Sequence, residues 1–224
     1  NYRWNLSYNA ALGYGVVCVN FHGSTSYGQM YVDSIRNDWG GQPYRDVMEG
    51  VRWILEKKSY LNKDKVGAAG ASYGGFMMNW IAGHADPGHL KCLVNHDGIF
   101  SLRNLYYTTE ELYFPEYEFG LPPMLAKSKE CADQGDQDIA PGQYDRWDPA
   151  NFIDKWCTPM LVIQGGLDYR VVEVEGIATF TALQRKGIES RLLFFPDENH
   201  WCLKTKNSLK WYATVGGWLD KFLK

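Results

Sequence analysis

The feature that most constrains this chain is a repeated exchange of short apolar runs for helix-length periodic segments. The strand candidates are Gly15 to Asn20, Lys65 to Ala69, Lys91 to Asn95, Met160 to Gln164 and Arg191 to Phe195. All but one read as continuously apolar, the pattern of strands buried on both faces; Lys65 to Ala69 is instead rich in Ala and Gly. Between them apolar residues recur at helical spacing, at Val47, Val51, Ile54 and Leu55 after Pro43, and at Trp211, Val215, Trp218, Leu219 and Phe222 near the end. Those tryptophans read as core packing. Gly75 to Gly83 and Gly166 to Leu183 also read as helices. This alternation predicts an α/β fold with a mostly parallel sheet and helices on both faces. At 224 residues the chain fits one domain. Thr108 to Arg146, rich in Pro, Gly, acids and aromatics, breaks the pattern and reads as a functional insertion.

One short motif sits where this architecture puts chemistry. Gly70-Ala71-Ser72-Tyr73-Gly74 matches G-x-S-x-G, directly after a strand candidate and at the opening of a helix candidate. That is the setting of a nucleophile elbow, whose strained turn lifts a serine hydroxyl clear of the sheet. The turn predicts minimal side chains two residues before and two after Ser72. The backbone N–H of Tyr73 is then one oxyanion donor. Nothing in the chain reads as the loop that supplies the second.

A serine hydroxyl needs a base, and five histidines compete. His84 and His89 fall at and after a helix end. His22 and His96 follow strands but come too early for the base. His200 lies between the last strand and the last helix, and it completes the order serine, acid, histidine. For the acid, Asp168 lies just beyond Met160 to Gln164, at the strand end where catalytic groups of open α/β sheets gather. Asp97, after an earlier strand, is the alternative, and Asp197 reads as a turn residue. Ser72, His200 and Asp168 would perform acyl transfer: the imidazole takes the hydroxyl proton, and the carboxylate fixes its tautomer.

Composition removes other classes. With 23 Lys+Arg against 26 Asp+Glu and no basic run, the surface is not one for nucleic acid. No apolar stretch approaches the roughly 20 residues needed to span a bilayer. Five cysteines, Cys18, Cys92, Cys131, Cys157 and Cys202, show no metal-ligand spacing, so no metal is expected. Cys18 and Cys92 lie in apolar runs and read as small buried hydrophobes; a disulfide among the other three stays open. No cofactor is implied, and the sequon at Asn5 bears only on a secreted protein.

Several blocks resemble the prolyl oligopeptidase family of serine peptidases, closest to its dipeptidyl-peptidase V branch. They are Tyr2-Arg3-Trp4-Asn5, Asn20 to Gly28, Asn37-Asp38-Trp39-Gly40-Gly41, the elbow through Phe76, His96 to Phe100, Thr109 to Pro115, Leu167-Asp168-Tyr169-Arg170 and Phe195 to Trp201. The likeness weakens only around Pro122 to Gln143. It implies an α/β-hydrolase catalytic domain over residues 1–224, and a peptidase that releases dipeptides from peptides with a free N-terminus. It places the triad on Ser72, Asp168 and His200, and Arg170 where relatives hold a substrate carbonyl, with a solvated loop charge as the equal alternative for Arg170. Tyr106, Tyr107 and Tyr113 read either as pocket lining or as packing, and Glu110 and Glu111 as solvated ahead of the alternative that they assist in binding the substrate amine. Family members carry a His-Gly-Gly-Pro-type segment, the first strands of the sheet and a β-propeller ahead of the first block. Their absence here implies a catalytic fragment of reduced activity. The resemblance favours secretion over a cytoplasmic location, and a homodimer is left open. An acylaminoacyl peptidase, a carboxylesterase with the same triad, and a non-catalytic module of the same fold are the alternatives.

Overall fold

The computed structural model describes residues 4–120, 122–124 and 142–224. In chain order these form α1 (Leu6–Ala11), α2 (Gln29–Asp33), α3 (Gln42–Lys57), β1 (Gly67–Ala71), α4 (Tyr73–His84), β2 (Cys92–His96), α5 (Leu102–Thr108), α6 (Tyr113–Phe119) and α7 (Gln143–Arg146). A 3-10 helix (Pro149–Lys155), β3 (Met160–Gly165), α8 (Glu173–Arg185), β4 (Ser190–Phe195) and α9 (Thr205–Leu223) follow. The strands form one parallel sheet in the order β1-β2-β3-β4. A parallel neighbour demands a crossover: α4 lies in the one from β1 to β2, α5 to the 3-10 helix in that from β2 to β3, and α8 in that from β3 to β4.

The two central strands are buried at every residue, as their continuous apolar runs predict. Their side chains alternate between two cores. Leu93, Met160 and Val162 join Phe76, Met77 and Trp80 of α4 and Leu183 of α8 on one face. Cys92, Val94, Leu161 and Ile163 join Trp211, Val215, Trp218 and Leu219 of α9 on the other. Each such side chain contributes about 1.5–3 kcal/mol on burial, so α9 is held by its tryptophan stripe. Burial also pushes the Cys92 thiol up to about 12.

The structure departs from the sequence expectation in several places. Gly15 to Asn20 forms no strand, and Val16 and Val17 stand 37% and 44% exposed. Among the described residues no strand lies beside the outer edge of β1, and an apolar run without a ladder partner has nothing to complete its hydrogen bonds. Val19 instead lies over α3, where a Cβ on Gly50 would come within 2.6 Å of it. Cys18 is accordingly exposed, as is Cys157, whereas Cys92 and Cys202 are buried and Cys131 lies outside the described residues. α8 begins at Glu173 rather than Gly166, because the Asp168 carboxylate accepts from the N–H groups of Arg170 and Val171 and holds that stretch as a turn. α6 and α7 occupy parts of the stretch from Thr108 to Arg146 that reads as irregular. α5 went unpredicted, although Ser101 caps it by accepting from Asn104 N–H. No helix among the described residues is long and apolar enough to cross a membrane.

Candidate active site

The site is assembled at the carboxyl ends of β1, β3 and β4. β1 runs straight into the elbow, where Ser72 takes φ 58° and ψ −118°. A non-glycine residue there carries strain of about 1–3 kcal/mol, so its neighbours must hold it. Ser72 N–H donates to the His96 carbonyl at 2.9 Å, and its own carbonyl accepts from Phe76 N–H at 2.9 Å. A Cβ on Gly70 would lie 2.3 Å from the Gly74 carbonyl oxygen, as the tight turn predicts. Gly74 does not meet the expectation: a Cβ there would have nothing within 4 Å. The crowding falls one residue later, where a Cβ on Gly75 would lie 2.4 Å from Gly98 Cα. That approach seats the start of α4 on the turn after β2.

His200 stands in the loop after β4, five residues past its end, with its Nε2 2.9 Å from Ser72 Oγ and its Nδ1 2.6 Å from Asp168 Oδ2. The second carboxylate oxygen, Oδ1, accepts from Arg170 N–H and Val171 N–H, both at 2.9 Å. With Oδ1 occupied, Oδ2 faces the ring, so Nδ1 carries the hydrogen and Nε2 is left to accept from the serine. The Asp168 side chain is fully buried, while that of His200 is 17% exposed. The acid is therefore shielded and the base is reachable.

Glu198 is a residue that sequence reasoning missed. Its buried carboxylate accepts from Leu203 N–H at 3.1 Å, Lys204 N–H at 2.9 Å and Asn207 Nδ2 at 2.8 Å, closing the loop that carries His200. Its only sequence signal is an acid two residues before the base. Tyr73 is the first residue of α4, so its N–H has no intrahelical acceptor and lies at the positive end of the helix. Its phenol donates to the Trp39 carbonyl at 2.7 Å, and burial raises its pKa well above the usual tyrosine value. The block Asn37 to Gly41 is thereby tied to the elbow.

The other candidates separate clearly. Arg170 projects its guanidinium over the Phe114 ring, with Nε 2.7 Å from Glu110 and Nη1 3.1 Å from Glu111. The two glutamates expected in solvent are thus the partners of Arg170. Tyr106 is buried and donates to Glu116 at 2.9 Å, whereas Tyr107 and Tyr113 are exposed. His84 stacks on Trp80 at 3.8 Å, and burial lowers its pKa. His22 pairs with Asp46 at 2.5 Å. Asp197 pairs with Lys204 at the surface, as a turn residue would. Asp97 is buried and accepts from Gly165 N–H at 2.9 Å. With Asp168 and His200 it makes a trio whose ligand atoms lie within 4.8 Å of one another. A metal there would take His200 and Asp168 out of the line that reaches Ser72.

Comparison with known proteins bears on this geometry. The profile of the prolyl oligopeptidase family matches residues 1–224. The chain is 46% identical over 222 residues to the dipeptidyl-peptidase 5 of Schizosaccharomyces pombe, covering 99% of this chain and 30% of that protein. It is 39% identical over 224 residues to the dipeptidyl-peptidase 5 of Porphyromonas gingivalis, covering 100% of this chain and 31% of that one. It thus spans less than a third of the length of these curated relatives. Among solved structures, a Pyrococcus horikoshii acylaminoacyl peptidase superposes with a TM-score of 0.80 at 20% identity, over 92% of this chain and 32% of that one. A puromycin hydrolase superposes with a TM-score of 0.82 at 19% identity, over 97% of this chain and 31% of the other. Both show the same fold.

Proposed function

The chain belongs to the prolyl oligopeptidase family, and from that premise we propose that it is the reacting part of a serine peptidase that releases dipeptides from free N-termini. The observation that carries the chemistry is the unbroken line from Ser72 Oγ to His200 Nε2 at 2.9 Å and from His200 Nδ1 to Asp168 Oδ2 at 2.6 Å. In this reading Ser72 Oγ attacks the acyl carbon while His200 Nε2 takes its proton. The imidazolium is held by Asp168, and the proton passes to the leaving amine. Water then attacks the acyl-enzyme by the same relay. The developing oxyanion faces Tyr73 N–H at the start of α4, where one donor lowers the barrier by about 3–4 kcal/mol.

The substrate class is supported by the relatives named dipeptidyl-peptidase 5. Arg170 is the proposed contact for a substrate backbone carbonyl. Glu110, Glu111 and the Phe114 ring restrain its guanidinium, so less side-chain freedom is lost on binding.

The deciding experiment offers the full-length parent protein one fluorogenic dipeptide, first with a free amine and then acetylated. Cleavage of the free form with at least about a hundredfold loss on capping, equivalent to about 2.7 kcal/mol, supports the proposal. Equal or better cleavage of the acetylated form moves the protein to the acylaminoacyl peptidases or esterases.

A further inference from the structure

We infer that His96 and Asp97, the two residues at the end of β2, are a positioning unit that ties the backbones carrying Ser72, Asp168 and His200 to one point of the sheet. The inference rests on the reading of those three residues proposed above. The serine comes first: Ser72 N–H donates to the His96 carbonyl at 2.9 Å, so the strained elbow hangs on β2. The acid comes next. Asp97 Oδ1 accepts from Gly165 N–H at 2.9 Å, and Gly165 is the last residue of β3, whose carbonyl accepts from Asp168 N–H at 3.4 Å.

The base is reached through the same glycine. A Cβ on Gly165 would lie 2.4 Å from the Asn199 carbonyl oxygen and 2.8 Å from that of Glu198, so the loop carrying His200 rests directly on the Gly165 backbone. Leu167 N–H donates to the Glu198 carbonyl at 2.9 Å and closes the crossing. Moving Gly165 therefore moves acid and base together.

Asp97 is itself over-determined. It is fully buried, it takes φ 47° in the left-handed region, and its N–H donates to Ile163 at 2.9 Å. The His96 ring beside it is fixed by Trp211, whose Nε1 can only donate and lies 3.3 Å from Nδ1. That leaves the ring hydrogen on Nε2, 2.9 Å from Asp97 Oδ2, a close approach that is not aligned as a hydrogen bond. The aligned side-chain bond of Asp97 is the one to Gly165.

The test uses the full-length parent protein with Asp97→Ala and Asp97→Asn, the latter retaining an oxygen that can accept from Gly165. The readouts are kcat and KM for the free-amine dipeptide, the rate of Ser72 labelling by a fluorophosphonate, and thermal unfolding. Because a displacement of about 1 Å can cost about a hundredfold, Asp97→Ala is expected to lower kcat and labelling about 30-fold with KM within about twofold, and Asp97→Asn to recover both to within about fivefold of wild type. A folded Asp97→Ala protein with kcat within about threefold of wild type would make the pair ordinary core packing and overturn the inference. Asp97→Asn as impaired as Asp97→Ala would overturn it too, by assigning the effect to charge. If Asp97→Ala does not fold, Asp97→Ser, whose hydroxyl ends one bond short of Gly165, takes its place with the same expectations. A wild-type protein that resists labelling would sink the serine-peptidase reading and this inference with it, whereas labelled wild type with unimpaired Asp97→Ala sinks the inference alone.

Discussion

Two histidine–aspartate pairs stand at the same end of one sheet, and their environments are opposite. In the first, His200 and Asp168 meet at 2.6 Å, the ring is 17% exposed and its Nε2 lies 2.9 Å from a serine hydroxyl. In the second, His96 and Asp97 lie at 2.9 Å, both side chains are 1% exposed and the other ring nitrogen is taken by Trp211. The residue types are identical, so the pair alone does not make a base. What distinguishes His200 is a serine hydroxyl 2.9 Å from its Nε2 and partial access to solvent. What distinguishes His96 is that every direction from its ring is protein. On the proposed reading the first pair transfers a proton, and on the further inference the second keeps backbones in place.

Removing the chemistry from the first pair gives the largest expected effects. Ser72→Ala in the full-length protein should lower turnover on the order of a millionfold and abolish fluorophosphonate labelling. Asp168→Asn should lower turnover about ten-thousandfold, because the amide no longer fixes the tautomer in which Nε2 carries no hydrogen. Both variants should keep their unfolding temperatures within a few degrees, so the loss reads as chemistry. A nearly silent Asp168→Asn would reverse the comparison and move the acid role to Asp97.

The site was more legible in the sequence than the ground beneath it. That Ser72, His200 and Asp168 meet was legible because each occupies a fixed place relative to a strand end, and strand ends were readable from apolar runs such as Met160 to Gln164. The central strands were legible because burial on both faces leaves a continuous apolar signature. Gly15 to Asn20 carries the same signature and forms no strand. Apolar character records that a residue avoids water, whereas a strand also needs a neighbour to complete its ladder, which no local pattern encodes. Gly75 and Gly165 were missed for a related reason. Their need for no side chain comes from Gly98 and Asn199, distant in sequence, and a single glycine among 23 says nothing of what approaches it. The partners of Arg170 were hidden likewise, since Glu110 and Glu111 lie some 60 residues away.

A milder perturbation acts on the second pair. Trp211→Phe keeps an aromatic ring in the α9 core but removes the donor to His96 Nδ1, leaving a buried acceptor unsatisfied at about 1–3 kcal/mol. At about 2–4 °C per kcal/mol for a domain of this size, the unfolding temperature should fall by several degrees. Turnover should stay within about twofold, because the bonds to Ser72 and Gly165 use the His96 carbonyl and the Asp97 carboxylate, neither of which Trp211 touches. A tenfold loss of turnover at unchanged unfolding temperature would place the His96 ring in the reaction itself and erase the division between the pairs.

A buried acid with no imidazole beside it sharpens the comparison further. Glu175 accepts from Phe100 N–H at 2.7 Å, Ser101 N–H at 2.9 Å and Asn104 Nδ2 at 2.6 Å. Burial is the largest influence on it and raises its pKa above the ordinary 4.5; those hydrogen bonds pull it back, and the charge of Asp148 pushes it up again. Burial likewise raises Asp148. A carboxyl whose folded value lies above its unfolded one contributes stability that is fully present below the unfolded value and lost as pH rises through the folded one. Glutamine at 175 does not titrate and cannot share that gain. The unfolding temperature of Glu175→Gln should therefore fall furthest below wild type near about pH 4.5, and the gap should narrow by a few degrees near about pH 8. Asp46, Asp197 and Asp220, whose pKa values are lowered, titrate in both proteins and cancel from the difference. A gap that widens with pH would mean that the three donors outweigh burial, so that Glu175 is held as an anion without any histidine.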